Sequence, residues 1–237
     1  MKAYFSTFLF TISLLTSISQ AQEADFAFTN VSLISMENDQ LIPNQTVLIK
    51  GGKIISIGSS QDISTSGTST IVDGSGKYLM PGIAEMHAHI PGNSNGSEMA
   101  EETLVLYLSN GITLIRGMLG QPYHLELRDK VLKGEILGPR IYTSGPSMNG
   151  NSIRSVEEAE AKVRAQKTAG YDFLKMHPGL SLENFNAVVS TAKEVGIPFA
   201  GHVSIEVGIR RALEAKYASI DHVDGYLEGL VPLSLGV

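Results

Sequence analysis

Hydrophobic and polar positions change rhythm near residue 81 of this 237-residue chain. Before that point, Phe26 to Leu33 alternates loosely between apolar and polar side chains, the period of a half-buried strand. Val47-Leu48-Ile49-Lys50, Gly51-Gly52 and Lys53-Ile54-Ile55-Ser56-Ile57 read as a hairpin, because two glycines accept the positive φ of a two-residue turn. Ser59 to Thr70 is a polar connector.

After residue 81, short apolar runs alternate with amphipathic stretches, which predicts parallel strands joined by crossover helices. Six strands are expected, over Ile83 to His89, Ile112 to Arg116, Arg140 to Ser144, Phe173 to Met176, Pro198 to His202 and Ser219 to His222. Between them a helix is expected from Glu98 to Asn110, although Leu104, Leu106 and Leu108 make no clean stripe. Ser155 with Glu158 forms a capping box ahead of Ala159 and Val163, and Gly170 follows the last turn. Ser181 opens a helix whose Phe185, Val188, Val189, Ala192 and Val195 recur at three and four, and Gly196 closes it. No short internal repeat exists beyond this alternation.

The first residues are of another kind. Lys2, the apolar run Ala3 to Ser17 and the small residues of Ser19-Gln20-Ala21 read as an export signal over 1–21, with the mature chain starting at Gln22. The run falls short of the roughly 20 residues needed to span a bilayer, so no membrane span is expected after cleavage. Residues 22–80 and 81–237 then form two domains. A chain with 43% hydrophobic and 18% charged residues is globular rather than disordered. The formal charge of -6, one unit more negative without Lys2, and the lack of any basic stripe argue against nucleic acid. Arg210, Arg211 and Lys216 read as a solvated helix face. With no cysteine, any metal must be held by nitrogen and oxygen.

Chemistry concentrates in Glu85-Met86-His87-Ala88-His89-Ile90. In a strand, residues two apart share a face, so His87 and His89 can grip one cation while Met86 and Ala88 point away. A divalent ion held by neutral imidazole lowers the pKa of bound water to about 7, which makes a nucleophile for hydrolysis. The alternative is a pair of core histidines satisfied by hydrogen bonds.

Val72-Asp73-Gly74, Gly76-Lys77, Leu79 and Pro81-Gly82, followed by Glu85, His87 and His89, resemble the opening signature of the amidohydrolase superfamily, in its imidazolonepropionase-like and prolidase-like branch. The likeness continues through Gly111-Ile112-Thr113 with Arg116, Gly138-Pro139-Arg140-Ile141, Phe173-Leu174-Lys175, Gly201-His202 and Asp221-His222. It implies an α/β fold, an incomplete (β/α)8 TIM barrel of about six strands, with part of a small amino-terminal β-sandwich. In such barrels catalytic residues sit at the carboxyl ends of strands, and His89, Lys175, His202 and His222 fall at or near the ends of the strands expected above.

The resemblance implies a metal-dependent hydrolase of carbon–nitrogen bonds in amides, cyclic amides or dipeptides, acting through a metal-activated hydroxide. It assigns His87, His89, Lys175, His202 and His222 as metal ligands, with two zinc ions bridged by a carboxylated Lys175. Manganese, cobalt or iron also suit such ligands. The other reading of Lys175 is an ammonium that reaches the barrel mouth or pairs with a carboxylate. His177 either touches substrate or lies in a loop; Arg116 and Tyr142 end strands two and three, where they can meet substrate or serve structure. Gly117 stands where the family commonly has an aspartate. His124 is expected at the surface.

The family's strand-eight aspartate, its general acid and base, has no counterpart before Val237. Asp221 alternates away from His222 and Asp224 belongs to the next loop, so neither is expected to replace it. The chain thus reads as a fragment, with open edges that invite an oligomer or a completing chain, or as a catalytically inert module.

Overall fold

The computed structural model describes residues 23–95 and 97–230; the expected export signal over 1–21 lies outside them. The chain divides into two compact units, 1–81 and 82–237.

The first unit is a five-stranded sheet. Its strands are β1 (Ala24–Ile34), β2 (Leu41–Lys50), β3 (Lys53–Ser59), β4 (Thr68–Asp73) and β5 (Tyr78–Leu79). The order is β3-β2-β1-β4, with β5 also on β1. β2 and β3 form the expected antiparallel hairpin, and Gly51 and Gly52 turn it at φ 57° and 73°. The polar connector ends early: Thr68 to Thr70 already pair with β1, in parallel. Ala24, Ala27 and Leu48 make a small core that Ile55 and Ile63 extend.

The second unit alternates strand and helix until two short helices follow its last strand. β6 (Ile83–Ala88) leads to α1 (Glu98–Ser109), β7 (Ile112–Gly117) to α2 (Pro122–Lys133), and β8 (Arg140–Thr143) to α3 (Val156–Ala169). β9 (Leu174–Met176), α4 (Leu182–Val195), β10 (Phe199–Gly201), α5 (Gly208–Glu214) and α6 (Tyr226–Leu230) complete it. β6, β7 and β8 form one parallel sheet and β9 with β10 another. The parallel bridges Ser144–Phe173 and Met148–Met176 join the two. Strands therefore follow one another in chain order, as an open arc of a (β/α)8 barrel that does not close among the described residues.

Several boundaries differ from the expectation. β6 stops at Ala88, so His89 lies just outside it, and β7 runs on to Gly117. The sixth strand is reduced to one bridge, Gly201–Ile220, because His222 and Val223 turn the backbone to φ 56° and 62°.

Local chemistry explains the helices. Ser155 Oγ accepts the Glu158 N–H at 3.3 Å, and the Glu158 carboxylate in turn accepts from the Arg154 N–H at 2.8 Å. Ser181 caps α4 through the Asn184 N–H. Gly170 and Gly196 end α3 and α4 in the left-handed conformation. α1 forms despite its irregular leucines because Ala100 and Leu104 are enough to seat it, packing with Ala88, Ile115 and Leu127. The larger core lies between α3, α4 and β9, around Val163, Leu174, Met176, Phe185 and Val188.

Candidate metal centre

The carboxyl ends of the second unit's strands gather imidazoles. They come from four places along the chain: His87 in β6 with His89 just after it, His177 just after β9, His202 just after β10, and His222 after the Ile220 bridge. Ring centroids run in a row, with His89–His87 at 5.1 Å, His87–His222 at 4.7 Å, His222–His202 at 5.0 Å and His202–His177 at 4.7 Å.

The row is pinned through the backbone. His177 N donates to Met148 O, His202 N to Met176 O, and Asp221 N to Gly201 O. Tyr107 holds both the N–H and the carbonyl of His89 through its hydroxyl. His87 and His89 lie side by side, as residues two apart can. Between Glu85 and Ala88, β6 carries one residue more than β7, a bulge, and the Glu85 carboxylate accepts the His87 N–H at 2.8 Å.

Beneath the imidazoles lies a buried charge cluster. The Lys175 ammonium donates to Asp221 Oδ2, and both side chains are almost wholly shielded, at 2% and 3% exposure. His87 Nδ1 stands 3.5 Å from the same oxygen. Arg116 approaches Asp221 Oδ1 at 3.9 Å while its Nη2 donates to Ser219 Oγ at 2.7 Å and its Nε to Met86 O at 2.8 Å. Its guanidinium also lies 5.5 Å from the ring centre of Phe173.

Burial lowers the pKa of His87, which Lys175 reinforces and Asp221 opposes. Burial, then His202 and Lys175, lower that of His177. Both rings therefore favour the neutral form, the one that binds a metal.

The unmodified Lys175 pairs with a carboxylate, the second of the two readings given above. Two other expectations need correction. Asp221, expected to point away, is buried at the heart of the cluster. Strand alternation fails there because the chain leaves the sheet at Ile220 and enters a left-handed turn. Asp224 does lie in the following loop, yet its carboxylate meets His202 Nδ1 at 2.6 Å. The signal for both acids was their spacing around His222, one before and two after. His124 is not at the surface: it is 1% exposed, with Nε2 3.3 Å from Pro91 O, because α2 turns it toward the loop after β6. Tyr142 stays apart from the imidazoles, and lines an open cleft of about 590 Å³ with Met86, Leu114, Arg116 and Phe173.

Imidazoles and carboxylates are the donor chemistry of a divalent ion. Among the described residues no three His, Asp or Glu side chains close on one point at ligand distance. The donors are thus assembled by type and neighbourhood.

Parallel strand–helix alternation with imidazoles at the strand ends defines a class: the chain belongs to the amidohydrolase family, whose model matches residues 78–233. It is 33% identical over 206 residues to an imidazolonepropionase of Idiomarina loihiensis, covering 85% of this chain and 45% of that protein. It is 24% identical over 203 residues to an adenine deaminase of Clostridium botulinum, covering 81% of this chain and 34% of that protein. A solved Xaa-Pro dipeptidase with methionine bound in its active site shares the fold, with a TM-score of 0.71 at 22% identity over 82% of this chain and 60% of that one. The chain spans less than half the length of these two curated relatives.

Proposed function

We propose that the protein is a divalent-metal-dependent hydrolase of carbon–nitrogen bonds in small molecules. The observation that carries this reading is the row of five imidazoles at the ends of parallel strands. A bound ion supplies Lewis-acid polarisation and an acidified water. His87, His89, His202 and His222 would hold it, with zinc the first candidate. Asp221 neutralises Lys175 and stands behind His87, which orients that ring. Carbon dioxide adds only to an unprotonated amine, so carboxylation of Lys175 as a bridge between two ions requires its pair with Asp221 to open. His177, beside His202, faces the same space and is placed to meet substrate. Cyclic amides, adenine and Xaa-Pro dipeptides are the substrates that the relatives' names suggest. Lys2 and the run that follows support export. Among the described residues, no helix is long and apolar enough to cross a membrane.

The test is to load the purified chain with zinc, measure bound metal, and assay ammonia release from adenine, opening of a cyclic amide and cleavage of Xaa-Pro dipeptides. Metal uptake with turnover of at least one class is expected, both falling tenfold or more in His87→Ala. A wild-type chain that takes up no metal and turns over nothing is an inert module and overturns the reading. Undiminished turnover in His87→Ala overturns it equally.

A further inference from the structure

We propose that Asp224 is the positioning residue for His202: its carboxylate accepts a hydrogen bond from Nδ1–H, which keeps the proton on Nδ1 and leaves Nε2 with the free lone pair. The role of that lone pair rests on the metal-dependent reading above. The hold of Asp224 on the ring does not.

Three observations converge. His202 Nδ1 and Asp224 Oδ2 are 2.6 Å apart, a charge-assisted distance, with both side chains partly shielded from solvent. The backbone goes to unusual lengths to bring the acid there. His222 and Val223 both take positive φ, 56° and 62°, and a β-branched residue rarely adopts that conformation. Such geometry persists when its surroundings over-determine it. The Asp224 N–H closes the turn by donating to Asp221 O at 3.1 Å, in the same turn that brings its carboxylate to His202.

His202 is meanwhile fixed at both backbone groups. Its N–H donates to Met176 O, and its carbonyl accepts from the Tyr217 hydroxyl at 3.3 Å. Ring rotation and the choice of protonated nitrogen are what remain, and one carboxylate at Nδ1 settles both. His177 and His222 flank the ring at 4.7 and 5.0 Å. Asp224 is therefore engaged in orienting a neighbour and is not a spare acid for the reaction.

Nitrogen-15 NMR of the imidazoles in the metal-free full chain tests this directly, together with zinc affinity by chelator competition. Wild type should show His202 protonated at Nδ1 and bare at Nε2. Asp224→Ala should lose that preference and weaken zinc binding 10- to 100-fold, with Asp224→Glu restoring part of both. A wild-type His202 bare at Nδ1 overturns the proposal without any variant. So does an unchanged tautomer with unchanged zinc affinity in a folded Asp224→Ala, which would leave the metal-dependent reading intact. An Asp224-dependent Nδ1 proton in a chain that binds no zinc supports the positioning role and overturns the metal-dependent reading.

Discussion

Lys175 and Asp221 lie 46 residues apart in sequence and meet as a buried ion pair, the ammonium on Oδ2 of the carboxylate. One enters from β9 and the other from just past the Ile220 bridge, so the contact ties the fourth and sixth strand positions together beneath the histidines. Breaking a buried pair by removing one partner leaves the other charge desolvated and costs about 3–5 kcal/mol. Asp221→Asn should therefore unfold at markedly lower denaturant. The double variant Lys175→Met, Asp221→Leu should recover most of that loss, because apolar replacement of both partners is nearly neutral or better. Urea titrations of the two variants and of wild type check this; a double variant less stable than Asp221→Asn alone would refute it.

Arg116 reaches three ways at once, to Met86 O, to Ser219 Oγ and toward Asp221. Each hydrogen bond from a charged donor contributes about 1.5–3 kcal/mol. Arg116→Ala should lose on the order of 3 kcal/mol, and Arg116→Lys should restore little, since a point charge cannot span both acceptors. Equal stability of Arg116→Lys and wild type in chemical denaturation would contradict this.

His124 gives a pH dependence with a definite sign. Burial lowers its pKa, opposed only by the Pro91 carbonyl, while the unfolded chain titrates near the ordinary 6.5. The unfolded state thus binds the proton first. Its contribution is fully present above pH 6.5 and is lost as the pH falls below it, by up to about 1.4 kcal/mol per pH unit. His87 and His177 shift in the same direction and add to the slope. Urea midpoints between pH 7.5 and 5 should fall steeply for wild type and less so for His124→Gln.

Gly201 sits at the end of β10 with φ +134°, and a Cβ there would run into the Met176 backbone. That backbone accepts the His202 N–H, so Gly201→Ala should displace the strand end and the ring together. A loss exceeding about 2 kcal/mol is expected, with less soluble protein and a perturbed His202 imidazole signal. A well-folded Gly201→Ala with an unshifted His202 resonance would contradict it.

Much of the fold was legible because periodicity and punctuation agree. The Gly51-Gly52 hairpin, the Ser155 and Ser181 caps and the Gly170 and Gly196 stops all lie where local chemistry puts them. The histidines were legible too, since strand ends can be counted. Asp221, Asp224 and His124 were not. Alternation predicts a direction only while the backbone stays extended, and it stops being extended at Ile220. His124 stands with Leu125 and Leu127 in α2, where helix pattern alone does not bury it, and its cover comes from the loop through Pro91.

The additional residue in β6 has one more implication. Inner and outer sides of a strand normally share one phase, so any change that suits the sheet also dictates how the terminal side chains aim. Here that phase is reset between Glu85 and Ala88, which uncouples anchorage in the sheet from the aim of the histidines. Shortening the chain by a single residue within Met86-His87 would leave Ile83 and Ala84 seated and rotate the strand's tip out of line, a lesion of geometry in an otherwise intact scaffold.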